Sequence, residues 1–214
     1  MLILVLLMAY FLYCPTTESM TVTQIGIIVH IDGIPIAKSS GSQFRPILCS
    51  IYGYQNVVVV GIFHGLKKPE DVNEFLLDFL AEAKTVLEDG LKYDGKVIAV
   101  TIAALVCDAP ARCFVTNVVS HNAYYGCHKC TTVGVWIRNT LPTNHEGRVT
   151  YPGINDRLRG NESFRMRSQS RHHNQKGRSI IEQLPFDLVN PLSPGTKPVV
   201  GSRSIFGSML SRTS

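Results

Sequence analysis

The stretch from Lys96 to Cys107, KVIAVTIAALVC, is apolar on both of its alternating faces and is closed by Asp108; no other part of the chain constrains the fold as strongly. A strand apolar on both faces belongs in the middle of a sheet, since a half-solvated strand alternates polar and apolar residues. Gln24 to Ile31 (QIGIIVHI) is a second β-branched run and ends in the same way, at Asp32-Gly33. Pro46 to Tyr52 and Asn56 to Phe63 supply two more strand patterns, parted by Gly53, Tyr54 and Gln55, so the first three runs read as a meander. Pro69 opens a helical stretch with Glu70 and Asp71 in its first turn, where acidic groups favour the helix dipole. Val72, Phe75, Leu76, Phe79, Leu80, Ala83 and Leu87 recur at helical spacing until Asp89-Gly90 ends the pattern. A short helix fits Ala109 to Val119. The expected fold class is α/β (α+β), a mixed sheet with flanking helices.

At 214 residues and 45% hydrophobic the chain can bury one sizeable core. Its positive charge is a C-terminal feature: residues 131 to 214 hold twelve Lys/Arg and five Asp/Glu (+7), against nine and eleven (−2) in residues 1 to 130. Cys49 and Cys107 lie inside apolar runs, where a free cysteine behaves as a small hydrophobe, and Cys127 and Cys130 form a CxxC. That usage points to a reducing compartment. Leu2 to Cys14 is a continuous apolar run of thirteen with no Lys or Arg before it, shorter than the roughly 20 residues a membrane helix needs. A membrane partner is therefore not expected. A core element, or a start codon placed in sequence never meant as an N-terminus, accounts for the run; a signal peptide or anchor, making the protein secreted or membrane-attached, is the alternative.

Three strands, a long helix and a fourth buried strand, with an aspartate after the first strand and another after the fourth, is the order of ribonuclease-H-like nucleotidyl transferases. Were those strands neighbours, about 4.8 Å apart, carboxylates at their ends would reach one divalent cation from two sides. Asp32 and Asp108 are thus candidate catalytic residues and magnesium ligands. Asp32-Gly33 is also an ordinary turn pair. Asp108, directly after IAALVC, is expected to be partly desolvated and to need a metal or an arginine as partner.

IDGIPIAKSSGSQFRPILCSI (31–51), KKPEDVNEFLLDFLAEAKTVLEDG (67–90), ALVCDAPAR (104–112), GCHKC (126–130) and SIIEQLPFDLV (179–189), in this order, resemble the transposase region of CACTA-like DNA transposons of the invertebrate type. The likeness covers roughly residues 24 to 190. It implies an RNase H-like core of the DDE kind, DNA binding, magnesium-dependent phosphodiester cleavage with strand transfer on two metal ions, homo-oligomerisation and a nuclear location. It also makes Asp32 and Asp108 the first two acids of the triad. Where the family continues toward its third acid, this chain runs on as Asn190-Pro191-Leu192-Ser193-Pro194-Gly195, so the third acid is not assignable. Glu182 and Asp187 are the nearest candidates. On this reading the chain is an inactive fragment with four parts: an apolar N-terminal segment (1–23), a partial RNase H-like core (24–125), a CxxC-containing basic insertion (126–190) and a poorly ordered tail (191–214).

Cys127 and Cys130 are spaced as half of a structural Zn²⁺ site, with His121, His128, His145, His172 and His173 available to complete it. The resemblance adds that a CxxC and a downstream histidine belong to the insertion between the second and third acids. Arg157, Arg159, Arg165, Arg167, Arg171, Lys176 and Arg178, with Phe164 interleaved, form a basic stretch of the kind that contacts DNA phosphates; a solvated loop is the alternative. A non-catalytic zinc, DNA or protein-binding remnant is the competing functional expectation.

Overall fold

A computed structural model describes residues 22–36, 42–54, 56–138, 147–153 and 155–184. In β1 (Gln24–Ile31) the period of two is plain: Ile25, Ile27, Val29 and Ile31 are buried and the residues between them half-buried. β3 (Gln43–Ile51) runs antiparallel to β1 from Ile27↔Ile51 to Ile31↔Ile47, and β4 (Val57–Gly65) is antiparallel to β3 on its other edge. The short β2 (Ile34–Pro35) pairs with Phe44 and Gln43, so β1 and β2 share one edge of β3 and Asp32-Gly33 is the break between them. The expected meander is present.

Helix α1 (Val72–Asp89) buries Val72, Leu76, Phe79, Leu80, Ala83 and Val86, which join the alternate residues of β1 and β3 in a single core. It begins later than Pro69, because Asp71 is extended and its carboxylate caps the helix by accepting from Asn73 N at 2.7 Å. Gly90 ends it with φ +70, and a Cβ there would meet Ile98 O at 2.7 Å, so glycine is required on both counts. β5 (Leu91–Tyr93) then turns into β6 (Lys96–Cys107), which lies parallel to β1 with Ile31 opposite Cys107.

Across the sheet the order is β4-β3-β1-β6-β5, with β2 pairing the end of β3 on the same edge as β1. β6 is therefore less central than its composition suggests. Its outer edge pairs with β5 only over Lys96 to Ile98, no other strand lies there among the described residues, and Ile102 to Cys107 are half-buried. α1 packs against it and α2 (Ala109–Val115) follows at its end, while of its apolar residues only Ile98 and Val100 are fully buried.

After α2 the chain forms a two-stranded ribbon, β7 (Val135–Arg138) with β8 (Gly147–Thr150), then α3 (Asn161–Arg165), a 3-10 turn (Ser170–His172) and α4 (Ile180–Gln183). Phe164, Ile180, Ile181 and Leu184 return to the main core. The protein is thus a mixed α+β fold with a mixed sheet and few helices. No helix among the described residues is long and apolar enough to cross a membrane. Leu2 to Cys14, His145, Asp187 and the tail from 191 lie outside the described residues.

Candidate functional site

Because β1 and β6 are parallel and in register at Ile31↔Cys107, the residues that follow them emerge side by side. Asp32 and Asp108 line one cavity of about 340 Å³, together with Gly33, Gln43, Arg45 and Lys68. The two carboxylates anticipated from separate motifs therefore share one cleft. Asp32 is half-buried, and its Oδ1 accepts from Gly33 N at 2.7 Å. Burial pushes its carboxyl above the usual carboxylate value; the nearby Asp108 adds to the rise, while the Gly33 N–H and Arg45 oppose it.

Asp108 is exposed, which corrects the expectation of a desolvated carboxylate after IAALVC. Its Oδ1 accepts from Ala111 N at 2.6 Å and caps α2, so its first partner is a backbone N–H. Arg45, from another strand, lines the same cleft and lies near enough to both carboxylates to act on them electrostatically. Arg45 projects from β3 on the same face as Ile47, Cys49 and Ile51, and only 6% of it is exposed. Its Nη2 donates to Gln43 Oε1 at 3.2 Å, and a Cβ added at Gly33 would lie 3.3 Å from that nitrogen. Burial lowers its pKa from the ordinary guanidinium value, with Asp108 and Asp32 opposing.

Arg45 and Lys68 were not singled out by the motifs. The available signal was a charged residue immediately before the apolar run PILCSI, since an arginine inside a strand core must find partners. Glu182 takes no part in the cleft. It pairs with Arg167 at 3.3 Å and Arg178 at 3.8 Å and accepts from Ser179 N in the α4 capping box, so its oxygens are committed within the C-terminal packing.

The second cluster surrounds the CxxC. Cys127 Sγ and Cys130 Sγ lie 3.3 Å apart. The loop is pinned by Thr131 N to Arg157 O at 3.0 Å and Arg159 N to Lys129 O at 2.9 Å. Gly126 passes so near Ser120 that a Cβ would lie 2.3 Å from Ser120 O, which explains a glycine directly before Cys127. Desolvation raises the Cys130 thiol, but hydrogen bonds from Thr132 and Cys127 outweigh it and leave the thiol below its ordinary value. Such a thiol pair fits half of a tetrahedral zinc site. Among the described residues, however, no group of three or more His, Cys, Asp or Glu side chains is gathered to hold a metal.

Three of the candidate histidines are engaged elsewhere. His128 turns to Cys113, with Nε2 3.2 Å from Sγ, and meets His172 edge-on. His172 and His173 pack around Phe164, and His172 Nδ1 lies 2.5 Å from Tyr125 O. The five described cysteines are all free thiols, and burial pushes those of Cys49 and Cys107 up to about 12, as expected of small hydrophobes inside strands.

The basic stretch divides in two. Arg159 is 3% exposed and donates Nε to Cys127 O at 2.8 Å and another N–H to Gln169, so its role is internal and its expected DNA contact is corrected. Arg167 is likewise spent on Gly177 O at 2.6 Å and on Glu182. Arg157, Arg165, Arg171, Lys176 and Arg178 are exposed, and Arg171 stacks over Tyr125.

Comparison with protein-family models, with curated proteins and with solved structures found no match.

Proposed function

We propose that this chain is the core region of a CACTA-like DNA transposase, a DNA-binding protein of the DDE type built to act on phosphodiester bonds. The observation that carries the reading is the meeting of Asp32 and Asp108 in one cleft at the ends of adjacent parallel strands. A strand order of β4-β3-β1-β6, antiparallel until the final parallel pair, supports the finer assignment of an RNase H-like core. Magnesium uses one or two carboxylates with water and phosphate oxygens, so the pair fits it; when bound it supplies positive charge at the phosphoryl group. Asp32 and Asp108 are the residues that would hold it. Arg157, Arg165, Arg171, Lys176 and Arg178 give sequence-independent phosphate contacts.

A second reading, a non-catalytic DNA- or protein-binding remnant, is favoured by one specific observation. Asp32 and Asp108 are the only acids among the residues described as lining the cleft, and Glu182 is committed elsewhere. We therefore expect binding without cutting. The test is a supercoiled-plasmid nicking assay with Mg²⁺ and with Mn²⁺, beside salt-dependent DNA binding, on the parent chain and on Asp108→Ala. Absence of DNA binding at low salt refutes both DNA readings. Nicking by the parent but not by the variant makes the cleft active and overturns the non-catalytic one.

A further inference from the structure

We infer that Arg45, assisted by Lys68, is the anion-holding group of the acidic cleft and takes the oxygens of a phosphodiester. This deepens the reading above by naming what would hold substrate in that cleft, and it stands on how Arg45 is placed. A guanidinium offers five N–H donors in a planar fork. One goes to Gln43 Oε1, while Nε is buried without a partner. Buried donors left unpaired are rare in folded proteins, and water or a ligand oxygen can complete them. Neither aspartate accepts from Nε, which has no partner in the fold; Asp32 Oδ1 takes Gly33 N and Asp108 Oδ1 takes Ala111 N.

The residue is 6% exposed yet lines a cavity of about 340 Å³, large enough for a phosphate group with water. Lys68, exposed at the same cavity, adds a second cation. A planar fork matches two oxygens of a phosphate or carboxylate, and phosphate is the choice beside a carboxylate pair suited to a divalent cation that shares phosphate oxygens. The four charged side chains balance as Asp32 and Asp108 against Arg45 and Lys68. A bound divalent cation would leave the cleft positive, so cation and anion should strengthen each other's binding by the same factor.

The experiment is calorimetric titration of the full chain with inorganic phosphate and with the dinucleotide pTpT, with and without Mg²⁺. Mn²⁺ binding is followed separately by electron paramagnetic resonance, and circular dichroism checks the fold of each variant. Arg45→Gln should weaken both ligands by about tenfold or more. Arg45→Lys should lose less, Lys68→Gln a few-fold, and Mn²⁺ affinity should not fall in any of them. Parent-level pTpT affinity in a folded Arg45→Gln overturns the inference. If that variant does not fold, parent-level affinity in both Arg45→Lys and Lys68→Gln overturns it. Binding of inorganic phosphate alone assigns free phosphate and overturns the phosphodiester. A parent that binds pTpT through Arg45 but no Mn²⁺ sinks the cation reading of the cleft and leaves this inference standing.

Discussion

Replacing Asp108 by serine and by alanine separates two roles that its position combines. The carboxylate caps α2 by accepting from Ala111 N, and it faces the cleft beside Asp32. Serine keeps an N-cap acceptor and removes the charge; alanine removes both. Loss of an N-cap costs about 1 kcal/mol, so without cation Asp108→Ala should unfold at lower urea by that amount. Under the same conditions Asp108→Ser should stay within about 0.5 kcal/mol of the parent. A cation that binds only the folded cleft stabilises it by about 2.7 kcal/mol at one hundred times its dissociation constant. With Mg²⁺ at that level the parent should gain this amount and both variants should lose most of the gain. Equilibrium urea denaturation at a fixed ionic strength, with Mg²⁺ exchanged for sodium salt, reads all six states. An Mg²⁺ gain in Asp108→Ser equal to the parent's removes Asp108 from the cation site. Equal stability of Asp108→Ala and the parent without Mg²⁺ removes the cap.

Protein purified without chelator should carry about one zinc per chain if Cys127 and Cys130 are ligands, and Cys127→Ser/Cys130→Ser should lose it; unchanged zinc content places the metal elsewhere. Burial holds His172 and His173 down to about 4, so the unfolded chain binds more protons than the folded one between about 4 and the ordinary histidine value near 6.5. Stability present above 6.5 should therefore fall as the pH drops through that window, and urea midpoints flat from pH 7 to 4.5 would contradict it. Phe164→Ala, which empties the space among His172, His173 and the core, should cost about 3 to 5 kcal/mol in the same denaturation assay. A loss below about 1 kcal/mol would mean that the C-terminal segment is not packed there.

The sequence by itself determined the strands and the long helix, because their signals are local. The period of two in QIGIIVHI, the apolar run of β6 and the helical spacing from Val72 to Leu87 are set by which face each residue must bury. It also placed Asp32 and Asp108 at strand ends and Cys127 beside Cys130. Tertiary structure decided the remainder. Parallel pairing of β1 with β6 joins residues 75 or 76 positions apart, which no local pattern encodes. Whether Arg159 meets DNA or the CxxC loop depends on Cys127 O and Gln169 lying beside it, and burial there overrides the meaning of a basic run. The outer edge of β6 shows the same limit, since an apolar strand can be covered by helices on its faces as well as by strands on its edges. Arg45 entered the cleft for a like reason: β3 aims it beneath Gly33, and only the fold brings that strand to the two aspartates.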